Sequence, residues 1–299
     1  MGMFLRILAC AAVALQALSA SAQSFYVSPK ADRDLAERLL GELHDTKVRN
    51  LESGRDVTTS GLMVEAATRL MGTPYVAGTL DTDPVNEELR IYLTKTDCIL
   101  FVETCLDLAL TVKENRGRPD FVQFAWKVAS TRYRSEGPWG YGDRIHYTTE
   151  WIRRQDKVLK DITLDLGGKV YDHPISFMSE HPDSYKQLRN ANNIPRAALA
   201  LQKISDVEKE LNRTPMTFIP KPEVASVEDR IRTGDIICFV SAVEGLDIAH
   251  VAIAYVKDGK VGFIHASQTA GKVIVDPKSV SEYVSSRSNL AGIKVVRPL

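Results

Sequence analysis

The sequence predicts an α+β fold, with helices in the first half of the chain and a mostly antiparallel sheet in the second. Between residues 34 and 134, apolar side chains recur at helical spacing in several runs. From residue 235 onwards they form short runs bounded by Gly, Asp and Ser, as is typical of strands. Helices followed by consecutive strands favour an α+β domain over an alternating parallel one.

The individual elements follow from these patterns. Helices are predicted at residues 34–48, 60–72, from 98 to about 110, at 121–134 and at 279–286. Strands are predicted near 89–93 and at 158–166, 235–240, 247–256, 260–267, 272–275 and 292–297. Residues 173–222 contain several prolines around a helical stretch at about 196–211, and we interpret them as an insertion. The expectation is one domain with an N-terminal helical extension.

The N-terminus has the parts of a secretory signal peptide. Arg6 is basic, Ile7 to Leu18 are apolar, and Ala20-Ser21-Ala22 offers the small residues that precede a cleavage site. No later stretch reaches the roughly 18 apolar residues of a membrane span. The sequence therefore predicts a signal peptide at residues 1–22 and a mature chain, residues 23–299, that is periplasmic or secreted and has no membrane segment.

Composition limits the class of partner. The 299 residues are 44% hydrophobic, and 38 basic side chains balance 38 acidic ones, so the formal net charge is zero. A neutral chain has no long-range field that would collect a polyanion, and no basic cluster is interleaved with aromatic residues. We expect no nucleic-acid partner, and we expect a monomer.

Cys98 is the candidate nucleophile. Thr96 or Asp97 can cap a helix that begins at this cysteine and continues along an apolar face through Val102 and Leu106. In the first turn, unpaired backbone N–H groups and the positive end of the helix dipole favour a thiolate. The position therefore predicts an easily ionised thiol. The alternative is a small core residue, the default for an isolated cysteine.

The cysteine count supports a free thiol. After signal removal three remain, namely Cys98, Cys105 and Cys238, and an odd number in an oxidising compartment leaves at least one unpaired. Cys98 and Cys105 would lie two helical turns apart, roughly 10 Å along the axis, which is too far for a disulfide. Cys238 lies in an apolar run and is expected to be buried in a strand.

Two histidines fall on a predicted hairpin. Asp258-Gly259 between two alternating runs indicates a two-residue turn, which would pair Lys257 with Lys260.

In that register His265 faces Ala252, which shares a sheet face with His250 because the two are two residues apart. The imidazoles would then be diagonal neighbours, with β-carbons roughly 7 Å apart. A bulge or a three-residue turn would move one of them to the other face.

A cysteine and two neighbouring histidines suggest nucleophilic catalysis. One imidazole can ionise the Cys98 thiol and later protonate a leaving amine, while the second fixes the orientation of the first. The alternatives are buried structural histidines or a Cys–His–His zinc site. The spacing does not match common zinc motifs, so no metal or other cofactor is predicted.

Several short segments carry a family resemblance through their order and spacing. They are Gly72-Thr73-Pro74-Tyr75 with Gly78, Asp97-Cys98, Ala249-His250-Val251-Ala252-Ile253 and Phe263-Ile264-His265-Ala266-Ser267. Together they resemble the NlpC-type branch of papain-like cysteine peptidases. Arg144-Ile145-His146-Tyr147 and Gly245-Leu246-Asp247-Ile248 make the chain resemble the N-acetylmuramoyl-L-alanine amidase-like family, from about residue 60 to the C-terminus. Ile99-Leu100 and Ala252 depart from the pattern of the wider branch.

The resemblance implies a papain-like core, with the nucleophile helix packed on the sheet, and a catalytic triad of Cys98, His250 and His265. Tyr75 would lie beside the nucleophile and is assigned to the substrate-binding residues. The implied substrate is peptidoglycan or a muropeptide, cut most plausibly at the amide bond between the N-acetylmuramoyl lactyl group and L-alanine. Two alternatives stay open: a γ-D-glutamyl endopeptidase acting within the stem peptide, and an inactive cell-wall-binding module.

Substrate contacts are expected on the loop that follows the Gly-rich segment 137–142. Arg144 is the leading candidate for a stem carboxylate, with Asp143 and His146 beside it. The alternative is a surface ion pair between Arg144 and Asp143. Asp247, from the resembling segment, is assigned to the same group.

Overall fold

The computed structural model describes residues 25–81, 83, 86–257 and 259–299. The predicted signal peptide and Asp258 of the predicted turn lie outside them. Eight helices are described: α1 (Lys30–Glu52), α2 (Thr59–Arg69), α3 (Cys98–Glu114), α4 (Phe121–Arg132), α5 (Thr148–Arg154), α6 (Phe177–Glu180), α7 (Pro195–Asn212) and α8 (Val280–Ser285). In this part of the chain, no helix combines the length and the apolar character needed to cross a membrane.

Ten strands accompany these helices. They are β1 (Tyr26–Val27), β2 (Leu89–Arg90), β3 (Leu159–Asp161), β4 (Lys169–Tyr171), β5 (Met216–Pro220), β6 (Ile236–Ser241), β7 (Ile248–Lys257), β8 (Lys260–Ser267), β9 (Lys272–Val275) and β10 (Leu290–Pro298). The predicted strand at 158–166 is wrong beyond Asp161, because its Oδ1 accepts a hydrogen bond from the backbone N–H of Thr163 and turns the chain.

Strands β3 to β10 form one sheet in the order β4-β5-β10-β6-β7-β8-β9, and β3 also pairs with β10. All these pairings are antiparallel, which confirms the predicted α+β class with an antiparallel sheet. The sequence did not predict β4 or β5. Because β5 falls within residues 173–222 and pairs with β10, the proposed insertion contributes a strand to the sheet.

Helices cover one face of the sheet, where Phe101 and Leu106 of α3 join a cluster with Val251 and Ile264. The other face carries a second cluster, to which α8 contributes Tyr283. Every residue of α3 from Leu100 to Val112 is buried, so this helix is the central element. A helix fixed along most of its length holds its first residue at a defined place against β7 and β8.

The β7–β8 hairpin has the predicted register. Lys257 pairs with Lys260, and Ile253 pairs with Ile264. On its other edge β7 pairs with β6, and there the register shifts between Phe239 and Val240, near the start of β7. The side chains of His250 and His265 therefore keep the relative position that the sequence predicts.

Candidate active site

Cys98 is the first residue of α3, as expected. The Oδ1 atom of Asp97 accepts a hydrogen bond of 3.0 Å from the backbone N–H of Leu100, so Asp97 is the cap. Thr96 instead donates its hydroxyl to the carbonyl of Asp97. The Cys98 thiol is free and half-buried, whereas Cys105 and Cys238 are free and fully buried. Among the three, only Cys98 is placed to meet a substrate.

The prediction of an easily ionised thiol is wrong for the resting protein. Burial raises the pKa of Cys98 to about 12, and the neighbouring Asp97 carboxyl raises it further. Backbone N–H groups, of which that of Val251 has the largest effect, act in the opposite direction but do not compensate. At neutral pH the sulfur therefore carries its proton.

The two predicted imidazoles form a hydrogen-bonded pair. His250 Nε2 and His265 Nδ1 are 2.7 Å apart, and the rings are nearly perpendicular, at 86°. Burial lowers the pKa of His250 to about 3, assisted by His265 and Arg287. Burial also lowers the pKa of His265 to about 4, against an opposing effect of Asp276. Both rings are therefore neutral at neutral pH.

Asp276 is a site residue that the sequence analysis missed. Its Oδ2 atom lies 3.2 Å from His265 Nε2, within ion-pair distance although not aligned as a hydrogen bond. The strand pattern could have identified Asp276. This residue directly follows β9, and Val275 pairs with Ile264, the neighbour of His265. Pairing the two predicted strands and extending the ladder by one residue sets Asp276 opposite Phe263, on the same sheet face as His265.

The strand β7 connects the thiol to the histidine pair. The backbone N–H that faces the Cys98 sulfur belongs to Val251, the residue after His250. Within the described residues, no hydrogen bond joins the thiol directly to either imidazole. Tyr75 is also near, since burial raises its pKa and the Cys98 thiol raises it further. The structure thus gathers Cys98, Tyr75, His250 and His265 around the start of α3.

A first cavity of about 230 Å³ opens beside Cys98. Asp97 and Ile99, its two sequence neighbours, line the cavity together with Arg144, His146 and Trp151. Arg144 and His146 thus line the cavity that adjoins Cys98, and their assignment as substrate contacts stays a prediction.

The suggested ion pair between Arg144 and Asp143 is not formed. Arg144 is only 6% exposed, its Nη2 atom pairs with Asp81, and its Nη1 atom lies 3.6 Å from Glu87 Oε1. Asp143 pairs instead with Lys203 at 2.7 Å and borders a different cavity. The structure therefore separates Asp143 from the nucleophile.

Asp247 is buried and His146 is half-buried. Asp247 accepts a hydrogen bond of 2.7 Å from the backbone N–H of Thr149, at the start of α5, which gives it a structural role. His146 Nε2 lies 2.8 Å from the carbonyl oxygen of Tyr141. Burial holds the pKa of His146 well below its ordinary range, and Arg144 lowers it further, so this ring is also neutral.

A second cavity, of about 130 Å³, lies on the histidine side. His250 and His265 line it, together with Tyr283 and Arg287. The guanidinium of Arg287 lies 4.3 Å from the centre of the Tyr283 ring. In the described part of the chain, no group of three or more His, Cys, Asp or Glu side chains is arranged to hold a metal ion.

Residues 65–293 match the family model described as AmiA-like, N-acetylmuramoyl-L-alanine amidase-like. A crystal structure of an N-acetylmuramoyl-L-alanine amidase from Bacteroides uniformis is 31% identical, with a TM-score of 0.72 over 81% of this chain and 99% of that one. A Bacteroides fragilis protein described as a candidate xylanase is 32% identical, with a TM-score of 0.69 over 78% and 99%.

A Legionella pneumophila protein, 19% identical with a TM-score of 0.60 over 90% of this chain and 96% of that one, shares the fold. No curated protein matches the sequence significantly.

Proposed function

Because the chain belongs to the N-acetylmuramoyl-L-alanine amidase-like family, we propose that it is an exported cysteine hydrolase with a papain-like core of the NlpC type. Its substrate is peptidoglycan or a muropeptide, and the bond cut joins the lactyl carbonyl of N-acetylmuramic acid to the amine of L-alanine. The observation that carries the proposal is the His250–His265 pair, 2.7 Å apart, beside the cysteine that begins α3.

The reaction begins with attack of the Cys98 sulfur on the lactyl carbonyl carbon. His250 takes the thiol proton as the carbon–sulfur bond forms, and then gives it to the nitrogen of L-alanine as the amide bond breaks. The products of this step are a thioester on Cys98 and a free stem peptide. Water then attacks the thioester carbonyl. His250 takes a proton from this water and gives it to the Cys98 sulfur as the carbon–sulfur bond breaks, and the muramoyl carboxylate leaves.

Backbone N–H groups at the start of α3 are available to the developing oxyanion. Leu100 N–H is bonded to the Asp97 side chain and Phe101 N–H to the Asp97 carbonyl. The N–H group of Cys98 precedes these and has no partner within the helix, whereas that of Ile99 also faces the Asp97 carboxyl. Preorganised donors of this kind stabilise tetrahedral intermediates, typically by about 3 kcal/mol each.

The neutral thiol and neutral imidazole define how the attack occurs. With the pKa of Cys98 at about 12 and that of His250 at about 3, a preformed thiolate–imidazolium pair is disfavoured at neutral pH. Deprotonation therefore accompanies attack, as in a serine hydrolase. His265, with Asp276 behind it, orients His250 and stabilises the positive charge that the ring acquires during the transfer.

The direct test is hydrolysis of a defined muropeptide, with the products identified by mass spectrometry. We expect the wild type to release an intact stem peptide that begins with L-alanine. Cys98→Ala should lose at least ~10³-fold in rate while keeping its fold. Cys105→Ala, which removes a buried thiol from the same helix, is the matched control and should remain active.

The two alternative functions, a stem-peptide endopeptidase and an inactive wall-binding module, give different results in this assay. Cleavage within the stem would establish the endopeptidase. Binding to intact sacculi with no cleavage of any muropeptide would establish the wall-binding module. A fully active Cys98→Ala variant would eliminate the thiol mechanism. Export is tested separately by N-terminal sequencing of the mature protein, which should begin at Gln23 if residues 1–22 are removed.

A further inference from the structure

The first cavity, beside the start of α3, and the second, beside His250 and His265, differ in charge. The first is lined by the carboxyls of Asp81, Asp97 and Glu103 and by the guanidinium groups of Arg132 and Arg144. The second is lined by Arg287 and by no carboxyl. A substrate that lies across Cys98 would therefore meet different electrostatic environments on the two sides of the scissile bond.

In the first cavity both arginines are already neutralised. Arg132 makes a bidentate ion pair with Glu103, and Arg144 pairs with Asp81, with Glu87 close behind it. Asp97 has no ion pair of its own within the described residues. This cavity has no surplus positive charge to offer a carboxylate, because each cation already has its anion.

The same cavity carries buried donors that lack an acceptor. Arg144 Nη1 and Trp151 Nε1 have no hydrogen-bond partner, and both residues are more than nine-tenths buried. A buried donor without a partner costs free energy, which a ligand oxygen would recover on binding. An uncharged ligand rich in oxygen atoms, such as an amino sugar with its acetamido and hydroxyl groups, fits these conditions.

The second cavity offers an arginine that is not neutralised. Arg287 has no ion pair among the described residues, and stacking on Tyr283 restrains its side chain. The other titratable groups facing this cavity are His250 of β7, His265 of β8 and Tyr283 of α8, all uncharged at neutral pH. The Asp276 carboxyl lies behind His265 and contacts that ring. A ligand carboxylate therefore finds an available guanidinium here.

The chemistry of the proposed reaction orients the substrate in the same way. The leaving nitrogen must receive its proton from His250, so it lies on the histidine side of Cys98. The stem peptide departs with that nitrogen and extends towards the second cavity. The lactyl group stays on the sulfur, which leaves the sugar on the side of Asp97 and Ile99. The first carboxylate along the stem belongs to the D-glutamate that follows L-alanine.

We propose that the N-acetylmuramoyl sugar occupies the first cavity and that Arg287 binds the α-carboxylate of the stem glutamate in the second. This assignment rests on the proposed amidase function and moves the carboxylate contact expected for Arg144 to Arg287. It makes Arg287 a specificity residue for the stem, and Trp151 and Arg144 hydrogen-bond donors to the sugar.

The stem contact is tested with two muramoyl tripeptides that differ only at the α-position of glutamate, one a carboxylate and the other a carboxamide. The wild type should prefer the carboxylate by roughly 10- to 100-fold in kcat/KM, since a hydrogen bond to a charged group contributes about 1.5–3 kcal/mol. Arg287→Gln should cut both substrates at the rate of the amidated one. Arg287→Lys should keep part of the preference, and Lys278→Gln, a nearby surface change, should keep all of it.

The sugar contact is tested with a truncated substrate, the lactyl peptide without its sugar ring. Trp151→Phe removes the Nε1 donor and keeps most of the ring, so KM for the full muropeptide should rise roughly 3- to 10-fold with little change in kcat. On the lactyl peptide, Trp151→Phe and the wild type should behave alike. Trp126→Phe, at an exposed ring outside the cavity, is the control.

The outcomes distinguish a failure of these two cavity assignments from a failure of the proposed amidase function. Equal wild-type rates on the two tripeptides, or an Arg287→Gln variant that keeps the preference, would overturn the stem assignment while the amidase function stands. A Trp151→Phe effect of equal size on both substrates would overturn the sugar assignment in the same way. Failure of the wild type to cleave any muramoyl peptide would overturn the proposed function together with both assignments.

Discussion

The candidate active site has two walls, and they differ in how their side chains are held. The histidine wall is built on two adjacent strands, β7 and β8, whose register fixes the positions of His250 and His265. The arginine wall is built on the irregular chain around Arg144, which pairs with Asp81 and Glu87 from a separate loop. In the first wall repetitive backbone geometry positions the groups, whereas in the second specific ion pairs do so.

Because of this difference, substitutions on the two walls should affect different properties, catalysis on one and stability on the other. The histidines are uncharged and supported by aromatic neighbours such as Phe239 and Phe263, so their removal should leave the hydrophobic cluster largely intact. Arg144 is a buried charge whose removal leaves Glu87 buried without its cation. We therefore expect substitutions on the histidine wall to reduce turnover and substitutions on the arginine wall to reduce the free energy of unfolding.

The largest effect is expected on the histidine wall. His250→Ala should reduce kcat/KM by roughly 10³-fold, because the general acid and base is lost. His265→Ala should cost less, because it removes only the group that orients His250. Both variants should retain the thermal transition of the wild type within a few degrees. Kinetics with the opposite order would exchange the roles of the two histidines.

The next effect concerns stability. Arg144→Ala should lower the free energy of unfolding by about 3 kcal/mol, because breaking a buried ion pair leaves an uncompensated charge. Urea denaturation measures this change. Arg213→Ala is the matched control, since Arg213 belongs to a fully surface-exposed ion pair with Glu210 and should change little. Equal midpoints for the two variants would show that the arginine wall is not held by its ion pairs.

The smallest expected effect is in the pH profile. An unperturbed histidine titrates near pH 6.5, but burial lowers the pKa of His250 to about 3. A base with a lowered pKa stays deprotonated into the acid range, so kcat/KM should hold down to about pH 4 and fall only below that. The measurement is the acid limb of kcat/KM over the range in which the fold persists. An acid limb near pH 6.5 would show that His250 is solvated during turnover.

Regular structure explains what could be predicted from the sequence. The cap, the start of α3 and the register of β7 and β8 follow from local periodicity and turn chemistry, and these place Cys98, His250 and His265. The same reasoning gave the antiparallel sheet. Each of these features depends on residues that are close in sequence or related by a countable strand register.

The features that the sequence analysis did not predict depend on contacts between residues far apart in sequence. The thiol was expected to ionise easily because the helix terminus was the only local influence visible, whereas burial, which raises its pKa, is a property of the folded chain. The pairing of Arg144 with Asp81 joins residues 63 positions apart. The short strand β5 carries too few residues for a clear alternating pattern, and only its pairing with β4 and β10 identifies it.

The contact between His265 and Asp276 has a consequence for the tautomers of both histidines. A carboxylate can only accept a hydrogen, so the approach of Asp276 to 3.2 Å, although not aligned as a hydrogen bond, favours a proton on His265 Nε2. The neutral His265 ring must then accept at Nδ1, and His250 must donate from Nε2 across the 2.7 Å contact. A neutral His250 has no second proton, so its lone pair lies on Nδ1, the ring nitrogen nearer to the main chain. In the proposed mechanism that atom is the base, and it lies one residue from the Val251 N–H that faces the sulfur of Cys98.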